Sequence, residues 1–122
     1  MPPRRDAKRR IDHMLEAIEG IQRIVSAHGL DALQGDWMRR SALERGFEVI
    51  SEASRHLPDH LKATEPDIPW KDIAGIGNIL RHDYDGVQLS MVIETATSDL
   101  PVLKEALERM RRKQSGQNGG AH

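Results

Sequence analysis

Apolar residues recur every three or four positions along nearly the whole chain, and no stretch alternates apolar with polar residues as a half-buried strand does. That period confines the chain to helices packed on one another. Ile11, Met14, Leu15, Ile18, Ile21, Ile24 and Val25 trace one face of a helix from about Ala7 to His28, with Gly29 as its stop signal. Asp36 stands where an N-cap belongs, and Trp37, Met38, Leu43, Phe47, Ile50, Ala53 and Leu57 carry a second helix to Pro58. Residues 58–69 (PDHLKATEPDIP) hold three prolines and no sustained period, so they form the principal loop. A third helix starts near Pro69, with Trp70, Ile73, Ile76, Gly77 and Leu80 on its buried face, and runs out near Asp85 and Gly86. A fourth covers Leu89 to about Lys113 through Val92, Ile93, Ala96, Leu100, Leu103 and Leu107, kinked rather than broken at Pro101.

Four helices with short links predict an all-α, up-down four-helix bundle. The 122 residues make one domain, read as 1–113, with the polar, Gly-rich 114–122 (QSGQNGGAH) as a disordered tail. A lone bundle with four aromatic side chains is marginal on surface-to-volume grounds, which favours a homodimer. The absence of cysteine excludes disulfide frameworks, thiolate zinc sites and cysteine nucleophiles. No run approaches the roughly 18 apolar residues of a membrane span, and MPPRRDAKRR lacks the apolar stretch of a signal peptide. These features predict a soluble, cytoplasmic protein without a membrane partner.

The formal charge of -1 hides a strong segregation. Arg4, Arg5, Lys8, Arg9 and Arg10 against Asp6 give the first ten residues a net +4, and Arg109, Arg111, Arg112 and Lys113 give the last fourteen another +4. The body between them, 11–108, is at -9. In an up-down bundle the first helix starts, and the fourth ends, at one pole, so the two basic ends converge there. The third helix ends at the opposite pole. Such ends serve either as solvated tails or as contacts for RNA or an acidic partner.

Residues able to do chemistry concentrate where the third helix ends: Asn78, Arg81, His82, Asp83, Tyr84 and Asp85. Asn78 and His82 are four apart, so the amide is placed to orient the imidazole. Histidine exchanges protons near neutral pH, arginine neutralises a phosphate and tyrosine offers a hydroxyl. The plain alternative is a polar helix C-terminus, where Arg and His suit the helix dipole. Gly75 and Gly77 each cost a helix about 1 kcal/mol relative to Ala, which implies either close approach of a second helix or room for a ligand beside Asn78. His56 and His60 have the spacing of a helical metal pair, but Pro58 lies between them. His13 and His28 sit among helix residues without an acidic–histidine cluster, and Glu44, Glu48 and Glu52 form a solvated stripe without the Glu-x-x-His of a di-metal bundle. No metal site and no cofactor are expected.

The run PWKDIAGIGNILRHDYDGV, the following ETATSDLPVLKEAL and the upstream SALERGFEVISEASRHLP resemble the HepT-like proteins of the HEPN superfamily. The resemblance spans roughly residues 7–110, and is most specific in Trp70-Lys71-Asp72-Ile73, in His82-Asp83-Tyr84 and in Thr97–Leu103. It implies an all-helical homodimer acting as the toxin of a type VII-like toxin–antitoxin pair, encoded beside a minimal nucleotidyltransferase antitoxin. Active relatives are metal-independent endoribonucleases whose paired Arg and His motifs meet at the dimer cleft, with RNA, such as tRNA or mRNA, as substrate. By the resemblance, His82 is the motif histidine, and Tyr84 is the tyrosine to which the antitoxin attaches AMP. The family's arginine falls five residues before the histidine, where this chain has Gly77. Arg81 is the nearby replacement, although adjacent helical residues point about 100° apart. The alternative is a catalytically degenerate HEPN module that binds a nucleotidyltransferase without cutting RNA.

Overall fold

The computed structural model describes residues 3–82 and 86–119, with side chains described for 6–77 and 89–114. Among the described residues there are seven helices and no strand: α1 (Pro3–Ala27), α2 (Leu30–Gln34), α3 (Trp37–Arg55), α4 (Asp59–Lys62), α5 (Trp70–His82), α6 (Gly86–Ser98) and α7 (Leu100–Gly119). The four long segments of the expected bundle are α1, α3, α5 and the α6–α7 pair. The two short helices fill its connections.

The core is aliphatic. Ile11, Met14, Ile18 and Ile21 of α1 are fully buried with Leu43, Phe47 and Ile50 of α3 and Leu107 and Met110 of α7. α1 is the central helix, packing on α3, α6 and α7, while α5 packs chiefly along α3. Ile73 and Ile76 of α5 are only half-buried, and Gly77 alone of its described side is buried. The helix that carries the candidate site is therefore peripheral, a placement its apolar spacing does not reveal.

Asp36 caps α3 as its sequence position predicts, accepting a hydrogen bond from the Arg39 backbone N–H at 3.0 Å. Trp37 and Met38 depart from expectation, being 71% and 74% exposed. The short α2 sends only Leu33 into the core, so the first turn of α3 has little to bury against and its apolar stripe begins at Leu43.

The 58–69 segment is short-helical at α4 and otherwise a loop, anchored by Leu61 and Ile68. The interruption between α6 and α7 is a single residue, Asp99. Its N–H donates to the Thr95 carbonyl at 2.9 Å and its carbonyl accepts from Leu103 N–H at 3.1 Å, so helical spacing continues on both sides. Pro101 has no N–H to donate, which accounts for the weak point. The helix expected to end near Lys113 instead reaches Gly119, and Gln114 is buried. The helical backbone thus continues to Gly119, past the point where the apolar spacing ends. Residues 120–122 lie outside the described residues.

Candidate functional site

Two contacts fix where α5 begins. The Trp70 indole N–H donates to the carbonyls of Lys62 (3.1 Å) and Glu65 (3.2 Å), tying the first turn of α5 to the loop before it. The buried Glu65 carboxylate receives the Arg109 guanidinium of α7, Nη2 at 2.7 Å and Nε at 3.1 Å, a forked pair joining that loop to the far end of the chain. Hydrogen bonding from Arg109 holds the Glu65 carboxyl below its ordinary range, outweighing the upward push of burial.

Along its length α5 is held by α3. Ser51 Oγ donates to the Ala74 carbonyl at 2.5 Å, and Arg55 Nη1 reaches the same carbonyl at 3.4 Å. A Cβ built on Gly77 would meet Ser51 Cβ and Oγ at 3.4 Å and Glu48 Cα at 3.8 Å. The close helix approach inferred for this glycine is thus made with α3 of the same chain. Nothing lies within 4 Å of a Cβ on Gly75, so that position borders open space. Ser51 went unnoticed in the sequence, yet a serine pair, Ser51 and Ser54, on the otherwise apolar stripe of α3 was the signal for it.

Asn78, Arg81 and His82 occupy the last two turns of α5, where the backbone remains helical to His82. Their side chains lie outside those described, and Tyr84, with Asp83 and Asp85, lies outside the described residues altogether. From the helix itself, positions 78 and 82 share one face, and positions 77 and 81 share another, one turn apart. The face of 77 is the one turned toward α3.

The other candidates resolve into local structure. His56 Nε2 lies 3.0 Å from Glu52 Oε1, and Glu52 also pairs with Arg55 at 2.6 Å. Hydrogen bonds from Arg55 and then His56 lower the Glu52 pKa. His28 Nδ1 lies 3.1 Å from the Ile24 carbonyl, and His13 is exposed. Among the described residues no group of three or more His, Asp or Glu could hold a metal ion, and no helix is long and apolar enough to cross a membrane.

The described residues form an all-helical bundle consistent with the HEPN-like class that the resemblance implies. The profile of the HepT-like family, described as ribonuclease HepT-like, matches residues 14–110, and the chain belongs to that family. It is 31% identical over 109 residues to the "Probable ribonuclease HepT" of Thermococcus cleftensis, covering 89% of this chain and 99% of that protein. It is 29% identical over 105 residues to a "Putative RNase" of Methanocaldococcus jannaschii, covering 86% of this chain and 96% of the relative. A two-function protein of the same organism, "Gamma-glutamylcyclotransferase and putative RNase", is 34% identical over 104 residues, which is 85% of this chain but 47% of that protein. No solved structure matches the chain.

Proposed function

We propose that this chain is the ribonuclease toxin of a type VII-like toxin–antitoxin pair, working in the cytoplasm as a homodimer and silenced by a minimal nucleotidyltransferase. The observation that carries the reading is the family match over residues 14–110, a span that includes the His82-Asp83-Tyr84 tripeptide.

In this reading His82 accepts the proton of a ribose 2′-hydroxyl. The freed oxygen attacks the adjacent phosphorus, the bond from phosphorus to the 5′-oxygen breaks, and that leaving oxygen takes up a proton. A 2′,3′-cyclic phosphate and a 5′-hydroxyl result, with no metal and no cofactor required. Asn78, one turn before His82, orients the imidazole. Arg81 neutralises the phosphate, as the nearby substitute for the arginine that the resemblance places at Gly77. Control falls on Tyr84. Its phenol oxygen attacks the α-phosphorus of ATP, pyrophosphate leaves, and the attached AMP places a negative charge two residues from His82 that repels RNA.

The test is cleavage of tRNA and mRNA by purified protein against His82→Ala. General acid–base catalysis predicts a loss of about 10²- to 10⁴-fold; equal activity overturns the assignment. Mass spectrometry after co-expression with the adjacent nucleotidyltransferase reads Tyr84, expected to gain AMP in wild type and not in Tyr84→Phe.

The burial of Gly77 against Ser51 favours one second reading, a degenerate module that pairs with the nucleotidyltransferase without cutting RNA. It predicts no cleavage by wild type and a gain in Gly77→Arg.

A further inference from the structure

The two basic ends of the chain are separated by a body of charge -9 in the sequence, but the fold brings them together. Arg111 Nη1 of α7 lies 3.4 Å from Asp12 Oδ1 of α1, and Lys8, Asp12, Arg111 and Arg112 line one open recess of about 570 Å³. Asp12, the one acid of the recess, is matched by Arg111. Lys8 and Arg112 are exposed with no ion pair among the described residues, and Arg9, which follows Lys8 in α1, is exposed as well. The neighbouring carboxylates on these helices are Asp6 and Glu108, both half-buried, with Glu16 and Glu105 exposed; Glu65 is occupied by Arg109. Arg4 and Arg5 belong to the same first turns of α1.

We propose that this α1–α7 pole is a docking site for the RNA phosphate backbone, separate from the His82 end of α5; the proposal rests on RNA being the substrate. A polyanion is repelled by the acidic body and attracted to this pole, where arginine and lysine offer charge-assisted hydrogen bonds to phosphate oxygens. The offset from His82 follows from the helix registers. Gly77 lies level with Glu48 and Ser51 of α3, and Gly46 lies level with Ala17 and Ile21 of α1. Carried through, the backbone of His82 stands about ten residues of α1 beyond the Lys8–Asp12 turn, or about 15 Å along the axis at 1.5 Å per residue. That axial distance corresponds to roughly four nucleotides of a stacked strand at about 3.4 Å each. The pole therefore acts as an anchor that selects longer RNA, not as part of the reacting centre.

The experiment uses fluorescence anisotropy of a labelled 20-nucleotide single-stranded RNA, bound to His82→Ala protein so that the probe stays intact. Lys8→Glu/Arg9→Glu/Arg112→Glu in that background is expected to weaken binding at least about tenfold and to reduce the salt slope by about 2, at about 0.7 per phosphate contact for single strands. Circular dichroism melting checks that the fold is kept. Asp12→Asn, which frees Arg111, is expected to tighten binding. Unchanged RNA affinity in the triple variant overturns the site, as does competition by poly-glutamate equal to that by unlabelled RNA, which would identify an acidic protein as the occupant. If wild type binds RNA through this pole and cleaves none, the docking site stands and the ribonuclease reading falls. If the triple variant binds and cleaves the 20-mer as wild type does, the docking site falls and the ribonuclease reading stands. A three-nucleotide RNA, too short to bridge, is expected to be cleaved equally by wild type and by the charge-reversed protein with His82 intact.

Discussion

Gly77 of α5 rests against Ser51 of α3 so closely that an added Cβ would stand 3.4 Å from both the Cβ and the Oγ of the serine. The position at which the resemblance leads one to expect an arginine is, in this chain, part of a helix–helix contact. Ser51 reinforces it one turn earlier by donating to the Ala74 carbonyl.

Substitution of the glycines separates packing from open space. Gly75→Ala is expected to stabilise by about 1 kcal/mol through helix propensity, since nothing lies within 4 Å. Gly46→Ala is expected to destabilise by about 1–3 kcal/mol, because its Cβ would come within 2.7 Å of Ile21 Cγ1 in the closed core. Urea unfolding of the two variants beside wild type reads both signs.

Arginine at 77 and arginine at 81 give opposite outcomes under the two functional readings. With Arg81 as the phosphate ligand, Arg81→Ala lowers cleavage about 10²-fold or more, and Gly77→Arg adds no activity while costing about 1–3 kcal/mol of stability by overpacking α3. Cleavage assays paired with thermal melts of both variants decide it.

Trp70 acts by position. Trp70→Phe removes the N–H that the Lys62 and Glu65 carbonyls share, and it is expected to cost about 1 kcal/mol, with added loss from the smaller ring. Amide exchange should quicken first in the opening turn of α5, since that is the turn the indole holds.

The Glu65–Arg109 pair makes stability depend on acid. The folded-state pKa of Glu65 lies below its ordinary 4.5, so its contribution is present above that value and is lost as pH falls through the folded pKa. Glu65→Gln should melt several degrees lower than wild type at pH 7, and the gap should close as the pH drops below about 4.5. Thermal melts across pH 2.5–7 test this.

The sequence by itself determined the helices, because caps and three-to-four spacing act within a few residues. Asp36, Pro58 and the stripe from Ile11 to Ile21 could be read where they stand. It also carried the resemblance to the HepT-like family, since a residue pattern is a property of the chain. Other features depend on contacts between residues far apart in the chain, and only the tertiary structure decided them. Trp37 and Met38 lie on the expected stripe but outside the cover of α2, and Gln114, beyond the last apolar position of α7, is buried. That α5 is an outer helix pinned by Ser51, Trp70 and the Glu65–Arg109 pair depends on partners 5 to 44 residues away. The meeting of two basic ends through Arg111 and Asp12, 99 residues apart, follows from the up-down order, but which charges are paired there and which remain free is set by packing alone.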